Sequence, residues 1–338
     1  GRGSRLMEPD QSLLDRRLIV VTGKGGVGKT AVACAVAEAA RRAGKRVLLV
    51  ETAAHEEVAA CFEREPRPIG HAGRTLAPGL HALRIDPHEA LAEYVRLQLR
   101  LAVVTDRILR SEIFSQLLEA APGWRELIVL GKIWHLEQRT DRAGRALHDL
   151  IVVDAPATGH GLTFLDVPRV AQQAIRAGPL ARHAGWVEAL VHDRERTLLL
   201  PVTLPEELPV RETQELVRRA RDQVGIAVDR IVVNQMPDER AERARAALSQ
   251  LRVEPRLEVL PDAATMRRLL DHGARHAALA RGFRREVSRA CALPVVDLPR
   301  IVGGFDAGSG WAEQADRVLA APVWPEAAPE AARAAEGA

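Results

Sequence analysis

The sequence predicts an α/β fold with a doubly wound, mostly parallel sheet and a helical insertion. Short β-branched apolar runs alternate along the chain with helical stretches, for example at 18–22, 46–51 and 150–154. A glycine-rich segment joins the first of these runs to an alanine-rich helix at 30–42. A strand, a loop, a helix and a strand in this order build a sheet with helices on both faces and ligand sites at the carboxyl ends of its strands.

Seven strands and several helices are expected in chain order. The strands are predicted at 18–22, 46–51, 80–86, 150–154, 197–202, 230–234 and 256–260. Residues 52–80 contain prolines and glycines and are expected to be mostly loop. Asp86 followed by Pro87 favours a helix start, and residues 87–145 have the apolar spacing of three helices. Further helices are expected at 206–224, 239–251 and 264–291.

The chain divides into three parts by composition. Residues 1–16 are expected to be a tag remnant and an N-terminal leader, since several residues precede Met7. Residues 17–320 are predicted to form one α/β domain with a helical subdomain at about 87–145. Residues 321–338 are rich in alanine, proline and glutamate and are expected to be disordered.

Composition also restricts the class of protein. A net charge of +3 does not call for a nucleic-acid partner. No apolar run reaches the roughly 18 residues of a membrane span, so we expect no direct membrane insertion. Three scattered cysteines, Cys34, Cys61 and Cys291, favour a reducing compartment and provide no zinc clasp. The chain is therefore predicted to be cytoplasmic.

Residues 23–30 fit the phosphate-binding pattern G-x-x-x-x-G-K-T between a predicted strand and a predicted helix. The pattern comprises Gly23, Lys24, Gly25, Gly26, Val27, Gly28, Lys29 and Thr30. Its glycines allow backbone N–H groups to surround phosphate oxygens at a helix N-terminus. We expect Lys29 to reach the β- and γ-phosphates and Thr30 to ligate Mg²⁺. Ala31 is assigned to the same site but has no hydroxyl for a further phosphate contact.

Lysine usage supports a specific role for this loop. Of the 48 basic residues only four are lysines, and two of them, Lys24 and Lys29, lie in the loop. A compact ammonium fits there, whereas a planar guanidinium does not. Asp154 ends the predicted strand at 150–154, where a carboxylate reaches Mg²⁺ or its water shell. Lys24, Lys29, Glu51 and Asp154 are the candidate catalytic residues.

Two segments together resemble the ArsA/guided-entry ATPase family, whose phosphate loop is the deviant Walker A form of P-loop NTPases. One is Lys24 to Thr30 with its extra lysine, and the other is Asp154-Ala-Pro-Ala-Thr-Gly-His160. The resemblance covers roughly residues 17 to 300. It implies an ATP- and Mg²⁺-dependent switch that closes as a dimer, with Lys24 crossing to the partner's nucleotide. His160 lies in the segment that such proteins rearrange.

Base recognition is expected to favour adenine. Asn234 and Gln235 end a predicted strand where the family that the chain resembles places an asparagine against the adenine ring. Pro261 and Asp262 occupy the position of its adenine-side loop. A guanine-binding pattern of Asn-Lys-x-Asp is absent from the sequence.

Other residues depart from the family pattern. Its first switch has an aspartate after the second strand, and an alanine stands near that position here, so Glu51 is the substitute candidate. Glu56 and Glu57 are weaker candidates for the same role, and a solvated face is the preferred interpretation of both. The cysteine and methionine features of the arsenite and tail-anchored-protein branches are missing, which indicates a bacterial member with neither feature.

Three functions remain open from the sequence. The first is an ATP-hydrolysing homodimer or heterodimer coupled to a client or membrane-protein partner that the sequence does not identify. The second is a weakly or non-hydrolytic ATP-binding scaffold that pairs with a paralogous ATPase. The third and lowest is a partition or positioning ATPase, which needs a basic surface or an amphipathic C-terminal helix. The acidic tail after Ala321 disfavours this third function.

Overall fold

The computed structural model describes the greater part of the chain. The described residues are 11–53, 55–99, 123–156, 161–174, 178–237, 263–301 and 311–324, together with 243 and 246. Four predictions lie largely or wholly outside these residues. They are the helix at 239–251, the strand at 256–260, the middle of the helical insertion at 100–122 and the disordered tail beyond 324.

Eight strands of the described residues form one sheet in the order β3-β4-β2-β5-β1-β6-β7-β8. Their bounds are β1 Leu18–Gly23, β2 Val47–Glu51, β3 Arg74–Ala77, β4 Leu80–Arg84, β5 Leu150–Asp154, β6 Thr197–Thr203, β7 Ile231–Met236 and β8 Val295–Pro299. Every pairing is parallel except that of β3 with β4 at the edge. The predicted α/β class with a mostly parallel sheet is confirmed.

Nine α-helices of the described residues cover the two faces of this sheet. Their bounds are α1 Lys29–Arg42, α2 Val58–Phe62, α3 Pro87–Leu99, α4 Trp124–Gln138, α5 Gly161–Ala174, α6 Pro179–His192, α7 Glu207–Arg219, α8 Ala263–Cys291 and α9 Trp311–Val318. Helices α1, α2 and α9 pack on one face. Helices α3 to α7 pack on the other face, and α8 packs there against α7, β7 and β8.

The central strands are apolar throughout because helices cover both of their sides. In β1, Ile19 and Val21 join the core beneath α1, while Leu18 and Val20 join the core beneath α4 and α6. Alternate side chains of a strand point to opposite faces, so a strand that is buried on both faces has no polar alternation. This is the pattern that made β1, β2 and β5 recognisable in the sequence.

Six predicted strands are confirmed, with ends that differ by one or two residues, and two further strands were not expected. The described residues of 52–80 are mostly loop, as predicted, but they also contain α2 and β3, which were not expected. Strand β3 went unpredicted because it is a half-exposed edge strand that is fixed by pairing with β4 rather than by an apolar pattern. Helices α5, α6 and α9 and strand β8 also went unpredicted; α5 contains Pro168, which usually argues against a helix interior.

The predicted start of the helical insertion is confirmed in detail. The Asp86 carboxylate accepts hydrogen bonds from the backbone N–H groups of His88 and Glu89 at 2.9 and 3.1 Å. These bonds satisfy two of the N–H groups that a helix leaves unpaired at its N-terminus. Helix α4 packs against α3, α5 and α6, so the insertion is continuous with the helical layer over the sheet. None of the helices that the structure describes is long and apolar enough to cross a membrane.

The ordered packing begins before residue 17. A 3₁₀-helix at Gln11–Asp15 places Leu13 and Leu14 in the core beneath α1 and α9, where both side chains are buried. Part of the segment that we assigned to a leader thus contributes to the hydrophobic core.

We predict that Leu13→Ala lowers the free energy of unfolding by about 2–5 kcal/mol, because it leaves a cavity in a close-packed core. Chemical denaturation measures this value. Asp15→Ala, at an exposed neighbouring position, should change it by less than about 0.5 kcal/mol. Equal stabilities of the two variants would show that the N-terminal segment is not part of the cooperative unit.

Candidate functional site

The carboxyl ends of five adjacent strands converge on one edge of the sheet. In the order β2, β5, β1, β6 and β7, these ends carry Glu51, Asp154, Gly23, Thr203 and Asn234–Gln235. Glu51 and Asp154 occupy the same register position on β2 and β5. The predicted site residues of four separate segments thus lie side by side because the strands are parallel.

The glycines of residues 23–30 adopt backbone conformations that other residues rarely reach. Gly26 and Gly28 have φ values of 84° and 87°. A Cβ atom on Gly28 would overlap the side-chain nitrogen of Asn234, and one on Gly23 would overlap the backbone oxygen of Val202. The loop therefore lies tightly against the ends of β6 and β7, which requires glycine at both positions.

Helix α1 begins at Lys29 without a side-chain cap. The first N–H groups of a helix then remain available for a ligand, and the helix dipole favours an anion there. Lys29 donates a hydrogen bond from Nζ to the backbone oxygen of Lys24 at 3.2 Å. Burial lowers the pKa of Lys29, while Asp154 and Glu57 oppose that shift. A half-buried ammonium beside an uncapped helix end is an anion site.

Thr30 and Asp154 meet at the mouth of this site. The Thr30 hydroxyl donates to Oδ2 of Asp154 at 2.6 Å. The other oxygen, Oδ1, is buried and has no hydrogen-bond partner among the described residues. Burial raises the pKa of Asp154 to about 6. A bound divalent cation would relieve this unfavourable burial, so the pair fits the hydroxyl-plus-carboxylate donor set that Mg²⁺ prefers.

A cavity of about 490 Å³ opens in front of the loop and the strand ends. Its lining includes Lys29, Thr30 and Asp154, and also Ala53, Glu57 and Cys61. The structure places the first three, which the sequence analysis assigned to the site, together at this cavity, whereas Glu57 was only a weaker candidate. Glu57 is exposed, as a solvated face requires, yet it faces the cavity. Its position depends on where α2 begins, which the loop prediction missed.

Glu51 lies beneath the cavity and does not line it. Its Oε1 atom accepts hydrogen bonds from the backbone N–H groups of Glu57 and Val58 at 2.5 and 3.2 Å, at the start of α2. Its Oε2 atom is buried without a partner among the described residues. Burial raises the pKa of Glu51 to about 7. In this conformation Glu51 positions α2, and Ala53 lines the cavity.

The segment after β2 is also tied to the end of β5. The Thr52 hydroxyl donates to the backbone oxygen of Asp154 at 2.7 Å. Glu56 accepts hydrogen bonds from the backbone N–H groups of Ile69 and Gly70, so its carboxylate holds a loop rather than facing solvent freely. The segment that contains Ala53 and Glu57 is therefore anchored at both of its ends.

Asn234 contacts the phosphate loop directly. Its side-chain nitrogen donates to the backbone oxygen of Val27 at 2.9 Å, and the residue is 4% exposed. Gln235 has a φ of 57°, a left-handed conformation that turns the chain at the end of β7. Pro261, Asp262 and His160 lie outside the described residues. Asn234 thus couples the predicted adenine side of the site to the phosphate side.

Lys24 forms an ion pair that the sequence did not predict. Its Nζ atom lies 3.0 Å from Oε1 of Glu212 on α7, and both side chains are about one-third exposed. No local pattern signals this contact, since the two residues belong to distant segments of the chain. Lys24, the extra lysine of the loop, is thereby held against another helix of the same chain.

The comparisons with known proteins agree with this geometry. A sequence model of the anion-transporting ATPases matches residues 16–178. The ATPase BagA of Mycobacterium tuberculosis is 32% identical over 308 residues, which cover 87% of this chain and 90% of BagA. The arsenical pump-driving ATPase of Acidiphilium multivorum is 32% identical over 71% of this chain and 43% of its own length. The ATPase ASNA1 homolog 1 of Paramecium tetraurelia is 23% identical over 72% of this chain and 83% of its own.

We predict that Gly28→Ala abolishes measurable nucleotide binding, because the added Cβ pushes Asn234 and the loop apart. Gly44→Ala is a matched control: its φ of 83° carries the same backbone strain of about 1–2 kcal/mol, but no atom lies near the added Cβ. Calorimetry with ATP should show binding in Gly44→Ala and none in Gly28→Ala. Equal affinities would mean that the Gly28–Asn234 contact does not shape the site.

The raised pKa of Glu51 predicts a pH-dependent stability of the metal-free chain. Because the folded state holds this proton more tightly than the unfolded state, the Glu51 contribution is full below about pH 4.5 and is lost as the pH rises through about 7. Glu51→Gln should therefore flatten the fall in unfolding free energy between about pH 6 and 7. Chemical denaturation in the presence of EDTA, repeated across this pH range, measures the slope. Glu57→Gln, a substitution at an exposed position, is the control. An unchanged slope in Glu51→Gln would contradict the assignment.

Proposed function

Because the chain belongs to the ArsA family of ATPases, we propose that it is an ATP-binding and ATP-hydrolysing switch that closes as a dimer. Closure around Mg²⁺-ATP would be coupled to a client or to a membrane-protein partner. The observation that carries the proposal is the Thr30–Asp154 pair at the mouth of the glycine cradle, with one carboxylate oxygen that no described residue satisfies. That arrangement suits a magnesium-bound triphosphate.

Phosphate binding would use groups that are already in place. The N–H groups of residues 25–31 surround the phosphates, and Lys29 turns from the Lys24 carbonyl toward the β- and γ-oxygens. Thr30 and Asp154 hold Mg²⁺, directly or through its water. When bound, the ion offsets the negative charge of the phosphates and of the leaving group.

On the base side, Asn234 and Gln235, with Pro261 and Asp262, would contact adenine. Asn234 suits this role because its amide nitrogen already fixes the loop through Val27, so that its position and that of the phosphates are set together. A site that holds the base and the phosphates of one nucleotide at fixed positions selects that ligand by its geometry.

Dimer closure would engage Lys24. Its ion pair with Glu212 is about one-third exposed, and such pairs contribute no more than about 1 kcal/mol, so a triphosphate on the facing subunit would compete with it effectively. In this proposal Glu212 binds the lysine in the open subunit and releases it on closure.

The proposal predicts a nucleotide-dependent change of oligomeric state. Mg²⁺ with a slowly hydrolysed ATP analogue should convert the protein to a species of doubled mass in sedimentation. Lys24→Ala should still bind nucleotide but remain at the mass of one chain, whereas Lys45→Ala should behave as the parent. Glu212→Gln should form the dimer at lower protein concentration. A Lys24→Ala chain that dimerises normally would refute the closure.

A second candidate function is an ATP-binding scaffold with little turnover that pairs with a paralogous ATPase. One observation favours it: Ala53 lines the cavity where the family pattern has an aspartate, and Glu51 faces α2 instead. Among the described residues that line the cavity, Glu57 is the carboxylate besides Asp154. Whether Glu57 orients the attacking water decides between the two functions.

The substitution Glu57→Gln distinguishes the hydrolysing switch from the scaffold. If the homodimer is an ATPase that uses Glu57 as its water-positioning carboxylate, the substitution should lower turnover by about 10²–10⁴-fold with little change in ATP affinity. If the chain is a scaffold, the parent protein alone should bind ATP yet release phosphate no faster than Lys29→Ala. Fast turnover that survives in Glu57→Gln would exclude Glu57 and the scaffold alike. Phosphate release measures turnover, and calorimetry measures ATP affinity.

A further inference from the structure

The most basic element of the described structure is α8. It contains seven arginines and two acidic residues, which gives a formal charge of +5. The whole chain carries +3, so the remaining residues sum to −2. A single helix therefore holds the excess positive charge of the protein.

One side of α8 is committed to the fold and the other faces solvent. Ala274, Ala277, Ala280 and Val287 are buried, and the helix packs against α7 and β7. On the outer side, Leu269 and Leu279 are 58% and 63% exposed. The exposed residues His272 and His276 lie between them at helical spacing. The four residues form one outward stripe, which we call the outer stripe of α8.

Exposed arginines lie beside this stripe. Arg268 donates a hydrogen bond to the Thr265 hydroxyl within the helix, and Arg275 has no ion-pair partner among the residues that the structure describes. Arg284, by contrast, pairs with Asp297 of β8. The charges of Arg268 and Arg275 are therefore presented outward, beside the exposed leucines.

We propose that this outer face of α8 docks on an anionic lipid surface. Leucines on a basic helix that lies parallel to the membrane enter the headgroup boundary, and arginines bind lipid phosphates at about 1 kcal/mol each. The sequence analysis disfavoured a membrane-positioning function because the C-terminal tail is acidic, but α8 offers the basic surface that such a function needs. The contact is peripheral and requires no helix that spans the bilayer.

The two other occupants of such a face fit it less well. Nucleic acid would pair with the arginines but would leave Leu269 and Leu279 against water or phosphate, with no apolar partner. A second copy of the chain would bring two +5 helices together, which like-charge repulsion opposes. A lipid surface satisfies the arginines and the leucines together.

Vesicle co-sedimentation of the full-length chain tests this proposal. Vesicles of phosphatidylcholine with phosphatidylglycerol should bind the protein, vesicles of phosphatidylcholine alone should not, and added NaCl should weaken the binding. Arg275→Glu should weaken binding by about tenfold or more, and Leu279→Ser by several-fold. Arg194→Glu makes the same charge change at another exposed site, and Leu97→Ser removes a leucine that is also 63% exposed. Both controls should bind as the parent does.

Several results would overturn the proposal. The proposal fails if the parent protein does not bind anionic vesicles at low salt. It also fails if Arg275→Glu and Arg194→Glu lose binding equally, which would indicate a diffuse charge effect. Tighter binding to duplex DNA that Arg275→Glu weakens and Leu279→Ser does not would assign the face to nucleic acid. A loss of self-association in Leu279→Ser without lipid would assign it to a second copy.

Discussion

The hydrogen bond between Thr30 and Asp154 is the contact on which the site depends. It joins the start of α1 to the end of β5, and β5 pairs directly with β1 in the sheet. The bond satisfies one oxygen of a carboxylate that is only 3% exposed, and the other oxygen has no hydrogen-bond partner within the described part of the chain. Burial raises the pKa of Asp154 to about 6 although the Thr30 bond opposes the shift, so a bound cation would relieve the cost of burying this carboxylate.

The surrounding contacts hold this pair in register with a ligand. Asn234 fixes the phosphate loop from β7 through the Val27 carbonyl, and Thr52 fixes the segment after β2 through the backbone of Asp154. Glu51, buried beside Asp154, positions α2 and thereby places Glu57 at the cavity. The Asn234 and Thr52 contacts each join segments at the ends of two different strands, so the geometry of the site depends on the order and register of the parallel sheet.

Much of the fold and the centre of the site could be predicted from the sequence. Apolar β-branched runs mark strands that are buried on both faces, and the spacing from Gly23 to Thr30 identifies the phosphate loop. The edge strand β3 could not be predicted, because pairing with β4 defines it and its own residues show no apolar pattern. The same holds for Glu212, which meets Lys24 only after α7 has packed on the sheet. The position of Glu57 at the cavity could not be predicted, because exposure in a sequence pattern does not reveal which cavity an exposed side chain faces.

Calorimetry of ATP binding with Mg²⁺ and with EDTA, in the parent chain and in Asp154→Asn, tests the central claim most directly. The substitution keeps the size of the side chain and its bond to Thr30 while it removes the negative charge. If Asp154 and Thr30 hold the ion, Mg²⁺ tightens ATP binding in the parent and has little effect in Asp154→Asn. An equal gain from Mg²⁺ in both proteins would place the ion elsewhere and contradict the account.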